Sequence, residues 1–129
     1  MGCLAVIGAV VLCIAATLFA ADRYCLGVLA FRLPMYPGAE ITSQSWNMFT
    51  PNGLGETVTV LRVAVPRRDV QSWYNRELGR IGREATNRAD LELYYRVSNA
   101  TWSINPGETP DETQIILFGR CMTSGLARR

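Results

Sequence analysis

The stretch Glu56–Gly82, "ETVTVLRVAVPRRDVQSWYNRELGRIG", decides the fold. Its first ten residues alternate: Val58, Val60, Arg62 and Ala64 against Thr57, Thr59, Leu61, Val63 and Val65. A period of two is that of a β-strand whose two faces meet different surroundings. Pro66 cannot donate to a sheet ladder and ends the strand. The period then changes. Val70, Tyr74, Leu78 and Ile81 share one face of a helix, with Arg76, Arg80 and Arg83 opposite. This predicts a helix from Arg68 to Ile81, with Gly82 as its C-cap.

Upstream, "AEITSQSWNM" (Ala39–Met48) reads as a strand and "FTPNGLGE" (Phe49–Glu56) as a loop, so these residues form a hairpin with the quoted strand. Downstream, "DLELYYRVSNATWSI" (Asp90–Ile104) reads as one bent strand or two short ones between Leu91 and Ile104. "NPGETPDE" is a polar turn, and "TQIILFGRCM" (Thr113–Met122) is the last strand. The order strand, strand, helix, strand, strand implies an α+β fold, one small antiparallel sheet with one helix packed on a face.

The N-terminus is different in kind. Residues 1–21 contain no charged side chain. Residues 2–21 make roughly 30 Å of helix, a bilayer's hydrocarbon thickness. No Lys or Arg precedes the run, as a cleaved signal would require, although "LFAAD" passes as a weak cleavage site. Cys13 follows Leu12 and Cys25 follows Tyr24, which do not suit a lipoprotein. Val6 stands where myristoylation wants Ser or Thr. The remaining reading is a transmembrane anchor. It extends past Asp22 and Arg23, because "CLGVLAFRL" (Cys25–Leu33) stays hydrophobic.

Gly2, Ala5, Ala9, Cys13, Ala16 and Ala20 recur at spacings of three and four and form a stripe of small residues, the candidate contact for a partner helix. Leu4, Ile7, Val11, Ile14 and Leu18 form the bulky stripe opposite, toward which Gly8 and Ala15 also lie, so the segregation is imperfect. Tyr24, Phe31 and Tyr36 fall where aromatic rings settle at a bilayer interface. Pro34, Pro37 and Gly38 then stop the helix and turn the chain into the first strand. The expected division is an anchor with its interfacial extension at 1–32, a Pro/Gly joint at 33–38, and a globular domain at 39–129. Arg23 and Arg32 lean toward a cytoplasmic domain, but long domains translocate despite such charges.

"YPGAE" (Tyr36–Glu40), a second strand ending at Pro66, and "DVQSWYNREL" (Asp69–Leu78) together resemble a loose set of small anchored bacterial envelope proteins. Those combine a YPGA-like strand start with a Val-x-x-Trp/Phe-Tyr helix. The resemblance covers Leu33 to Cys121 and implies a domain outside the cytoplasm. It brings no catalytic residues. The chain departs from the set after the helix, where "NRADLEL" (Asn87–Leu93) replaces a "GW"-like strand.

Few residues point to chemistry. Histidine is absent and all 13 basic side chains are arginine. The usual general base and metal ligand are therefore missing. A net charge of +2 argues against nucleic acid. Of Cys3, Cys13, Cys25 and Cys121 no two form a Cys-x-x-Cys pair, so no metal or haem site is implied. Cys25 and Cys121 are either a disulfide or two free thiols. Asp90 with Glu92, and Glu108 with Asp111 and Glu112, fall in turn-like segments and read as solvated charge. Trp46, Trp73 and Trp102 read as core aromatics. Arg67, Arg68, Arg76, Arg80 and Arg83 make a candidate electrostatic contact surface, interleaved with Glu77 and Glu84.

The expectation is a non-catalytic accessory subunit of a larger membrane complex. It has no cofactor or metal, it partners integral membrane subunits and the lipid bilayer, and its domain is extracytoplasmic. Electron-transfer and photosynthetic assemblies carry subunits of this kind. The alternative is a solitary anchored binding module.

Overall fold

The computed structural model describes residues 2–50, 53–87 and 98–121. The elements are α1 (Gly2–Arg32), β1 (Glu40–Thr50), β2 (Gly53–Val63), α2 (Arg67–Thr86), β3 (Ser98–Pro106) and β4 (Thr113–Cys121). The fold is α+β. In the sheet, all pairs are antiparallel, and the order β1-β2-β4-β3 departs from the order along the chain. β4 inserts beside β2, and β3 becomes an edge.

Both strands of the first hairpin run further toward each other than expected. β1 continues through Thr50 and β2 starts at Gly53, so most of the expected Phe49–Glu56 loop is strand. Gly55 makes this possible. It adopts φ +61° where the β2–β4 register shifts between Leu54 and Glu56. A glycine bulge tolerates that conformation without strain. α2 is longer than its periodicity predicts, and Gly82 is not its cap. The helix runs on to Thr86 because Ala85 is buried on the same face as Val70, Tyr74 and Ile81. The strand expected from Leu91 starts, among the described residues, at Ser98; residues 88–97 lie outside them.

One face of the sheet carries both helices. On β4 every second residue is buried, namely Thr113, Ile115, Leu117, Gly119 and Cys121. Leu61, Val63, Ile104, Val70 and Tyr74 complete the main core, which Leu33, just after α1, joins. α2 lies over the β3 side, where the Tyr74 and Trp102 rings stack at 6.4 Å. Trp73 meets Tyr74 and Tyr36 edge-on at 4.8 and 5.1 Å. Tyr36 is therefore a packing residue of the core and not the interfacial ring expected from its place after the apolar run.

α1 is long and apolar enough over Ala5–Arg32 to cross a bilayer. Its last turns are also part of the globular core. Asp22, Cys25, Val28, Leu29 and Leu33 are buried. Cys25 is disulfide-bonded to Cys121 with Cα atoms 6.0 Å apart. Leu29 presses on Gly119, where an added Cβ would come within 2.8 Å of its Cδ2. Leu33 joins the cluster holding Leu117. Each step takes four residues of helix, about 6 Å, and two of strand, about 6.8 Å. The rises match, so α1 runs antiparallel to β4 along its length. Gly38, at φ +76°, then completes a turn closed by the Ala39 N–H donating to the Tyr36 carbonyl at 3.1 Å. This is the positive-φ position of a type II turn with proline before it. The joint thus sits at the far end of the turns that pack on the sheet.

Candidate functional site

Ile7, Val11, Ile14 and Leu18 continue at spacings of three and four into Asp22, Cys25, Leu29 and Leu33. The bulky stripe and the sheet-binding face are therefore one row along α1. The small stripe lies on the other side. Ala5, Ala9, Cys13, Ala16 and Ala20 are all exposed, and α1 begins at Gly2. The same row passes Arg23 and Tyr24 and reaches Gly27 and Ala30, also exposed. Small side chains there leave the backbone approachable along most of the helix.

Between α1 and the β1 side of the sheet lies an apolar groove of about 460 Å³. Leu26, Ala30 and Leu33 form one wall, Met35 and Ile41 the outer lip, and Gln44 the floor on β1. It exists because, among the described residues, α1 and α2 cover β2, β4 and β3 and leave β1 bare. Met35, Ile41 and Trp46 are 58%, 51% and 45% exposed. Trp102 is 40% exposed. Two of the three tryptophans are therefore not core residues. Their strands are edges, and a ring on an edge strand has a neighbour on one side only.

The five arginines do not act as one surface. Arg80 is held between Glu77 and Glu84 at 2.5 and 3.1 Å. Its hydrogen bonds keep the Glu77 carboxyl below the usual carboxylate range. Arg76 donates to the Ser72 hydroxyl at 2.9 Å. Among the described residues, Arg67, Arg68 and Arg83 are exposed and have no carboxylate partner. Arg67 and Arg68 stand in the first turn of α2 and Arg83 in its last. Two of the three acids of the β3–β4 turn are also engaged. Glu108 and Glu112 both reach Arg62, at 3.1 and 3.0 Å. This pins the turn to β2 and leaves no facing pair of carboxylates there. Asp90 and Glu92 lie outside the described residues.

Asp22 is not singled out by the sequence, where it only marks the end of the apolar run. It is 4% exposed, and its Oδ1 has no hydrogen-bond partner. Oδ1 lies beside Gly55 and the disulfide. Arg32 also closes α1 onto the sheet, donating to the carbonyl and hydroxyl oxygens of Ser98. No protein-family model, curated protein or solved structure matches this chain.

Proposed function

We propose that this protein is a non-catalytic, single-span accessory subunit of a larger membrane complex, held there by α1. One observation carries the reading. The two rows of α1 are both largely exposed through the apolar run and differ in its last turns: the bulky row ends against its own sheet, whereas Ala5, Ala9, Cys13, Ala16, Ala20, Gly27 and Ala30 of the small row are all exposed. A helix that only anchored a domain would gain nothing from gathering most of its small residues on one side, with Gly8 and Ala15 the exceptions. Helix association in lipid depends on close backbone approach, which this row permits. The Cys25–Cys121 bond supports a domain outside the cytoplasm, since disulfides persist in oxidising compartments. The resemblance to anchored envelope proteins agrees with that side.

Purification in mild detergent tests the reading. The wild-type chain should carry stoichiometric partner subunits. Ala9→Leu with Ala16→Leu should release them while the chain stays resistant to carbonate extraction. A chain that runs alone, or a double variant that keeps its partners, overturns it. The groove and the exposed Trp46 favour a second reading, a solitary anchored binding module, and solitary behaviour would leave that one standing.

A further inference from the structure

We propose that β1 is a docking edge for an extended, uncharged segment of a partner protein, which adds a strand to the sheet and seats alternate apolar side chains in the groove beside α1. Two independent observations meet at this edge. The first is the strand itself. β1 is eleven residues long and, among the described residues, has a neighbour on one side only. After Glu40 it has no charge and no proline. Its residues from Glu40 to Asn47 are exposed. Natural edges are usually blunted by lysine, proline or a cover, because bare N–H and C=O groups invite another strand. The β1–β2 register shift lies at the start, between Ile41 and Ser43, and leaves the rest regular. The opposite edge, β3, is treated differently: it ends in Pro106, and α2 packs over it.

The second observation is the groove. Gln44 and Trp46 pair with Thr59 and Thr57, whose side chains lie on the helix-bearing face. A strand added outside β1 would place every second side chain on that face, beside Leu26, Met35 and Ile41. Strand addition draws affinity from main-chain hydrogen bonds and specificity from pockets for alternate side chains. This edge offers both.

A second copy of the chain is the obvious rival occupant, and the topology disfavours it. β1 is parallel to β4, and α1 is antiparallel to β4, so α1 is antiparallel to β1. Two β1 strands paired antiparallel about a two-fold axis would point their α1 helices in opposite directions. Such helices cannot enter one bilayer from the same side. That exclusion rests on α1 spanning the membrane; the edge and the groove do not.

The test uses the full chain in nanodiscs and a peptide of about ten residues alternating leucine with threonine. Hydrogen exchange is read over residues 42–48. The expected result is that outward β1 amides slow roughly tenfold or more at saturating peptide. A peptide N-methylated on alternate residues should bind roughly tenfold more weakly or worse. Gln44→Lys, which puts a charge at the groove, should weaken binding. Ser45→Gln, on the other face, should not. A urea midpoint close to wild type verifies that both variants fold. No protection, or equal binding of the N-methylated peptide, overturns the proposal. So does protection that rises with chain concentration alone, which would identify a second copy. A partner complex that survives while β1 stays unprotected by peptide sinks this inference and spares the proposed docking by α1. Loss of the complex with β1 protected does the reverse.

Discussion

Reducing the Cys25–Cys121 bond should cost this protein a large part of its stability. The bond joins residues 96 apart in sequence. In the chain-entropy treatment, opening a loop of that size frees about 4.7 kcal/mol of unfolded-state entropy. If α1 stays helical in the bilayer, the flexible loop begins near Leu33 and not at Cys25. The logarithmic dependence makes that correction only about 0.1 kcal/mol. Reduction leaves both sulfurs in place within the Cys25, Leu29 and Cys121 cluster, so little packing is lost with the bond. Urea unfolding in nanodiscs, followed by tryptophan fluorescence with and without reductant, reads the difference. With a slope of about 2 kcal/mol per molar urea, the midpoint should fall by about 2 M. Cys13 is a free thiol in both states and does not confuse the comparison. Coincident midpoints would refute the reasoning. They would mean that packing alone fixes the end of α1 on the sheet.

Gly119→Ala should destabilise the fold by about 1–3 kcal/mol, because the new methyl meets Leu29 Cδ2 at 2.8 Å and Thr57 Oγ1 at 3.1 Å. Leu29→Ala in the same chain should recover part of that loss in a double-mutant cycle, and additive effects would count against the contact. Asp22→Leu should stabilise the protein by about 1–3 kcal/mol, since it replaces a buried carboxyl whose Oδ1 has no partner with an apolar side chain of similar shape. No gain in the urea midpoint would mean that a bound water or ion satisfies that oxygen. Burial pushes the Tyr74 phenol up to about 12, against 10.0 ordinarily. The folded state therefore favours the neutral phenol. Its contribution is complete below pH 10 and is lost between pH 10 and 12, by at most about 1.4 kcal/mol per pH unit. Tyr74→Phe should flatten that alkaline slope, and an unchanged slope would assign it elsewhere.

The elements with a single strong period are legible in the sequence. β2 alternates because one face meets the helices and the other does not, and Val70, Tyr74 and Ile81 of α2 are buried as their spacing implies. What local pattern lacks is the neighbour of each element. The order β1-β2-β4-β3 depends on which strand finds β2, and no run of residues encodes that. The misreading of Trp46 and Trp102 follows from it, since a tryptophan in an edge strand looks like one in a central strand until the edges are known. Gly82 reads as a stop because Gly and a helix end often coincide, but buried Ala85 gives the helix reason to continue. The small-residue row is readable, and its relation to the sheet is not. That relation depends on the Cys25–Cys121 pairing, which the spacing leaves open. Asp22 is the plainest omission: an acid after an apolar run signals water, and only the packing of Gly55 and the disulfide over it shows otherwise.

α1 continues without a break from Gly2 to Arg32, and the sheet is fastened to its side by a covalent bond, by Leu29 against Gly119 and by Arg32 on Ser98. Nothing in that arrangement can act as a swivel. The domain must follow the helix as a flag follows its pole. β1 and β2, at eleven residues each, stand about 35 Å tall. A tilt of about 20°, ordinary for a spanning helix, would swing the far end of the sheet sideways by about 12 Å. Local bilayer thickness, which sets tilt, would thereby be converted into the position of the Arg62–Glu112 end of the sheet.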